Sequence, residues 1–85
     1  MRESVQWFAG QMENELAKHD EERGEGWKGD GILELFNHLE QEVRELKLAI
    51  DESAQSGEIN REWVIEECAD LANMAMMIAD NSREK

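Results

Sequence analysis

Residues 68–79 read Cys-Ala-Asp-Leu-Ala-Asn-Met-Ala-Met-Met-Ile-Ala, and Asp70 and Asn73 are the only polar side chains in that run. At helical spacing, Val64, Cys68, Leu71, Ala75 and Ile78 form one apolar stripe, while Ile65, Ala69, Ala72, Met76 and Ala79 form another. Met74 and Met77 fall on yet another side. A helix that is apolar nearly all round belongs in the middle of a bundle. Two companion helices do not cover it fully, so partner chains are expected to. The simplest arrangement is a two-fold dimer that completes a four-helix-type core.

Asn60 is the expected N-cap of this helix, with Ile59 and Val64 as a hydrophobic staple around it. The helix is expected to run to about Asn81, followed by a charged tail from Ser82 to Lys85. The preceding segment, about Gly31 to Ser56, carries Ile32, Phe36, Leu39, Val43, Leu46 and Ile50 in alternating steps of four and three. That is a heptad-like seam suited to bundle packing, and Gly57 supplies its C-terminal stop. A first helix is expected from about Ser4, as N-cap, to Arg23, with Val5, Phe8, Met12, Leu16 and His19 recurring on one side. Between the first two segments, Gly24 to Gly31 holds four of the six glycines and predicts a loop. No stretch alternates as a strand would. The chain is expected to be all-α: one domain over residues 1–85, with three main helices.

Composition narrows the function classes. With 21 acids against 9 Lys plus Arg, the formal net charge is −12. Such a chain repels nucleic acid and anionic membranes, and its basic residues are scattered. A phosphate-bearing ligand stays open to it if a divalent cation bridges the two. No apolar run is long enough to span a bilayer, and Met1-Arg2-Glu3-Ser4 lacks the pattern of a signal peptide. Cys68 is the single cysteine, so an internal disulfide and a cysteine-only zinc site are excluded. A cytoplasmic setting is expected.

Two acidic couplets stand out, Glu42-x-x-Glu45 and Glu67-x-x-Asp70. Residues three apart share a helix face, so each couplet aims two carboxylates the same way. Trp63, Glu67, Asp70, Met74 and Met77 share one face of the third helix, and Leu35, His38, Glu42, Glu45 and Ala49 form a line beside the seam of the second. Antiparallel packing of these helices would gather all four acids. Two carboxylates about 5 Å apart repel by about 3 kcal/mol at an effective dielectric near 20. Four call for a cation. Oxygen-only ligands select hard metals, chiefly magnesium or manganese, and neither histidine has the Glu three residues before it that a di-iron bundle uses. The competing account is that Glu42 and Glu45 belong to a solvated surface, as Glu40, Glu52 and Glu62 do. It fits Asp70 poorly, because its neighbours are apolar.

At these residues the chain resembles a known family. Glu-Val-Arg-Glu at 42–45, then 21 intervening residues, then Glu-Cys-Ala-Asp at 67–70 resembles the E-x-x-E…E-x-x-D signature of all-α nucleoside triphosphate pyrophosphohydrolases. Glu66-Glu-Cys-Ala-Asp-Leu-Ala-Asn73 is similar to the MazG-like branch, short phage and mobile-element members included. The resemblance covers about residues 16–80. It implies magnesium-dependent cleavage of the α–β phosphate bond, giving a nucleoside monophosphate and pyrophosphate, with manganese as a substitute. It also implies that Glu42, Glu45, Glu67 and Asp70 are the metal ligands and catalytic residues, and that one of them, or Glu66, orients the attacking water. Asn73 resembles the family position that contacts sugar or base. Separately, the all-round apolar third helix leads to an expected homodimer or dimer of dimers.

Gly26-Trp27-Lys28-Gly29 resembles a Gly-Trp segment of the short members. Trp27 is either a stacking surface for a base, with Lys28 meeting a phosphate, or the cap on the core of a flexible connector. His38, one turn before Glu42, is either near the metal ligands or a surface histidine. His19 lines a base pocket or simply packs. Met74, Met76 and Met77 read as core and dimer contact, or as a wall for a base. Cys68 reads as a small buried hydrophobe, and Trp7 and Trp63 as packing residues. Two other accounts stay open. One is a non-catalytic acidic interaction module on a degenerate pyrophosphohydrolase fold. The other is a bundle that binds or stores divalent metal without nucleotide.

Overall fold

The computed structural model describes residues 1–83. These form three α-helices, α1 (Glu3–Lys18), α2 (Ile32–Ser56) and α3 (Arg61–Ser82), with a short 3-10 turn at Gly26–Gly29 and no strand. Among the described residues no helix is long and apolar enough to cross a membrane.

The α2–α3 corner follows the expected chemistry. Gly57 takes the left-handed conformation at φ +80°, and its N–H returns to the Ala54 carbonyl. Asn60 caps α3 by accepting the Trp63 N–H at 3.1 Å. The buried Ser53 hydroxyl accepts the Asn60 N–H at 3.1 Å and ties the two helices together. Ile59 and Val64, the expected staple pair, both line one small hollow, and Ile59 stays largely exposed. α3 ends one residue later than expected, at Ser82. The remainder of the expected tail, Glu84 and Lys85, lies outside the described residues.

The α1 boundaries differ from the expected ones. Arg2, extended at φ −67° and ψ 150°, holds the cap position, and Ser4 falls inside the first turn. Glu3 there places a negative charge at the positive end of the helix dipole. At the other end α1 stops at Lys18, and residues 19–25 form successive turns rather than helix. Beyond Leu16 the chain supplies only Ala17 before a polar run, so nothing apolar remains to dock another turn, and Gly24 turns the backbone at φ +50°. The expected loop from Gly24 to Gly31 contains the 3-10 turn.

Contacts fix the directions of the helices. Ser53 meets Asn60 and Glu42 meets Glu67 and Asp70, so α2 and α3 run antiparallel. Asn73 reaches Met12 and Glu66 approaches Lys18, so α1 is also antiparallel to α3. Both outer helices pack on α3 and hardly on each other. The apolar third helix is therefore the central one, as its composition requires.

The heptad seam of α2 does not turn toward α3. Ile32, Phe36, Val43 and Ile50 remain 44–49% exposed, and only Leu39 and Leu46 between them are half-covered. The face applied to α3 is the neighbouring line, in which Leu35, Ala49 and Ser53 are buried. The seam's two-sided apolar flank is left open along one side of the chain.

Candidate active site

The inner line of α2 explains how a carboxylate enters the core. Leu35 and Ala49 are buried against α3, and Glu42 lies midway between them at seven-residue steps, so it must face inward too. Its side chain is 12% exposed. On α3 the buried Ala69 and Asn73 point the same stretch of helix inward, bringing Glu67 and Asp70 to the same place. Glu42, Glu67 and Asp70 each offer an oxygen, and these atoms all lie within 4.8 Å of one another. Glu45 is more exposed and stands outside this trio, but its carboxylate contacts both Glu42 and Glu67.

The crowding raises the acids' pKa values. Burial pushes Glu42 up to about 7, with the charges of Glu45 and Asp70 adding to it. Burial, then Asp70 and Glu45, moves Glu67 to about 6. Asp70 rises to about 6 through burial and then through Glu15, while His19 and Lys18 pull it the other way.

Glu15 is the participant that the sequence reading lacks. It is 8% exposed, the most buried acid in the described chain, and its carboxyl contacts that of Asp70. Lys18 Nζ pairs with its Oε2 at 2.6 Å and stands 3.8 Å from Glu66 Oε1. The hydrogen bond to Glu15 is the main reason the Lys18 pKa is raised. A signal was present: Phe8, Met12, Glu15 and His19 follow steps of four, three and four, which put an acid on the inward stripe. Glu66 itself is half-exposed and turned toward α1 rather than into the trio.

Beside the acids lies a cavity of about 400 Å³. It opens over α3 where α1 and α2 stand apart, and Leu16, Leu35, Met74, Met77 and Trp27 form its apolar lining. Glu15, Glu42, Asp70 and Asn73 supply its polar lining, together with His19, Arg23, Asp30 and His38. Met74 and Met77 thus serve core and cavity at once. Trp27 is half-buried and lines the space, whereas Lys28 does not line it and pairs with Glu25 at 2.6 Å. His38 Nε2 sits 3.3 Å from Glu42 Oε1, next to the carboxylates rather than on an isolated surface. His19 is exposed at its place in the lining. Cys68 is a half-buried free thiol, and Trp7 packs its ring near Phe8 while remaining half-exposed.

Asn73 is 4% exposed. Its Nδ2 donates to the Met12 carbonyl at 3.1 Å, which fixes the amide and leaves Oδ1 buried without a donor. A ligand group in the cavity that meets this atom must bring an N–H or O–H.

The chemistry open to this arrangement is limited. Glu42 Oε2 and Glu67 Oε2 are likewise buried with no donor, so two carboxylate oxygens lack the partner that burial demands. A proton or a hard divalent cation satisfies them, and the all-oxygen donor set fits magnesium or manganese better than zinc. The chain matches no protein-family model, no curated protein and no solved structure.

Proposed function

We propose that this protein is a magnesium-dependent nucleoside triphosphate pyrophosphohydrolase, converting an NTP or dNTP to the monophosphate and pyrophosphate in a house-cleaning role in the cytoplasm. The observation that carries the reading is the junction of two unlike features. A trio of inward carboxylates, two of them (Glu42 and Glu67) with a partnerless buried oxygen, adjoins a cavity that Glu42 and Asp70 line, with Trp27 in its wall and a single fixed acceptor on Asn73. A polyphosphate joined to a flat heterocycle has these two halves.

Glu42, Glu67 and Asp70, with Glu45 at their edge, would hold the metal. When bound, magnesium supplies charge neutralisation for the phosphates and polarises the bond to be cleaved. The chain's own groups supply the rest. Trp27 and Met77 receive the face of the base, and Asn73 Oδ1 accepts a hydrogen bond from sugar or base. His38 steadies Glu42 through their contact. Glu15 and Asp70, side by side, present acceptor oxygens to a water entering from the cavity. Lys28, paired with Glu25 at the surface, would meet phosphate only after exchanging that partner.

The open α2 seam supports the assembly part of the proposal. Ile32, Phe36, Val43 and Ile50 would form the two-fold contact of a homodimer, or of a dimer of dimers, and complete the four-helix-type core. The net charge of −12 argues against a nucleic-acid partner, and no membrane role is proposed.

The direct test is anion-exchange product analysis on a panel of NTPs and dNTPs with magnesium, with manganese and with EDTA. Metal-dependent monophosphate plus pyrophosphate is the expected result. Diphosphate plus phosphate would place cleavage elsewhere and refute the proposed bond. No turnover by folded, metal-supplied protein would favour the acidic interaction module or the metal-binding bundle.

A further inference from the structure

The last turn of α3 carries a contact that neither the core nor the carboxylates require. Asn81 Nδ2 donates to two backbone carbonyls, Trp27 O at 3.0 Å and Asp30 O at 3.2 Å. One amide nitrogen has two hydrogens, so both are committed to the 3-10 turn and the residue that follows it. We infer that Asn81 is the positioning residue that holds Trp27 in the cavity wall, and that it thereby sets the affinity for the ligand's flat ring.

The turn has little else to hold it. None of its residues is fully buried, and Gly26, Gly29 and Gly31 have open space where a side chain would stand. Trp27 is the one apolar side chain between His19 and Gly31. The turn's internal bonds, Lys28 N–H to Glu25 O and Asp30 N–H to Trp27 O, are both 3.0 Å and stabilise its shape without attaching it to the protein. Among the helices it rests chiefly on α3. Attachment therefore depends on the indole and on the Asn81 amide. Asn81 is not itself part of the cavity lining, so its effect on a ligand passes through the turn. The planar amide at the helix end spans both carbonyls at once, which neither serine nor alanine can do.

The identity of the ring rests on the nucleotide reading above; the attachment of Trp27 does not. The experiment compares Asn81→Ala and Asn81→Asp with the unsubstituted chain. Asn81→Asp keeps the shape but faces the carbonyls with acceptors. Two hydrogen bonds of ordinary net strength correspond to about a tenfold change or more in local opening. Tryptic cleavage after Lys28 and Arg23 should accelerate by that factor, since cleavage follows the open population. Acrylamide quenching of Trp27, read in a Trp7→Phe, Trp63→Phe background, should rise with it. Circular dichroism should show α1 to α3 intact. Binding of dNTPs in magnesium, followed by quenching of Trp27, should weaken about tenfold. Unchanged cleavage and quenching would overturn the attachment. A loosened Trp27 with unchanged nucleotide binding would overturn its role in affinity. If the unsubstituted protein binds no nucleotide, the nucleotide reading fails and takes the affinity role with it, while cleavage and quenching still decide the attachment.

Discussion

The carboxyl of Glu15 on α1 lies against that of Asp70 on α3, and the contact raises the Asp70 pKa beyond what burial alone does. Two acids in contact from separate helices join α1 to the carboxylate site. Glu15→Gln removes the like charge and keeps the shape. The Asp70 titration midpoint, near 6 in the unsubstituted chain, should then move down toward its ordinary 3.8. Carboxyl chemical shifts followed against pH measure it. An unmoved midpoint would mean that Glu15 does not act on Asp70.

Stability should depend on pH with an unusual sign. Glu42, Glu67 and Asp70 titrate near 7, 6 and 6 in the folded chain against ordinary values of 4.5, 4.5 and 3.8. Below the ordinary values both folded and unfolded chains are protonated and the full stability is present. As pH rises the unfolded chain ionises first, so stability is lost until pH passes the folded values. Metal-free protein should melt about 5 °C or more lower at pH 8 than at pH 5, a loss of about 1 kcal/mol in a domain this small. Adding magnesium or manganese at pH 8 should recover it, because the cation binds only the ionised folded site. Melting curves with EDTA at several pH values decide the sign.

Glu67→Gln and Asp70→Asn should separate function from folding. Each removes one charge from the trio and leaves a side chain of the same size. The metal-free variants should melt at or above the parent temperature at pH 8, since repulsion falls. Manganese binding, read by electron paramagnetic resonance, and turnover should each drop by more than about 100-fold, given that even the partners of metal ligands cost 10–100-fold. A variant with near-parental turnover would remove that residue from the proposed ligand set.

The legible and illegible parts of this chain divide along a physical line. Asn60, Gly57 and the apolar run from Cys68 act through neighbours within a turn or two, and the α2–α3 corner and the central position of α3 follow from them. The couplet spacing likewise brings Glu42, Glu67 and Asp70 together, because a short corner forces antiparallel registration. Glu15 and Asn81 act across the fold, on Asp70 and on Trp27 respectively, and no local pattern records such a partner. The α2 seam shows the same limit. Its heptad spacing identifies an apolar face, but the side chains buried against α3 are those of the adjacent line, Leu35, Ala49 and Ser53. Periodicity names a face without naming what covers it.

Ile32, Phe36, Val43 and Ile50 are nearly half-exposed in a single row along α2, and none of them lines the carboxylate cavity. If a second copy covers the row, a charge in its middle is buried against an identical charge across the two-fold axis. Val43→Glu should therefore shift sedimentation from dimer to monomer, with the dissociation constant raised at least about 100-fold, the equivalent of about 2.7 kcal/mol. Its monomer should keep its helical circular dichroism, because the substituted side chain faces solvent in the single chain. Gln41→Glu, exposed and on the opposite side of the same helix from Val43, serves as the control for charge alone. A Val43→Glu protein that sediments like its parent would exclude this face from the interface.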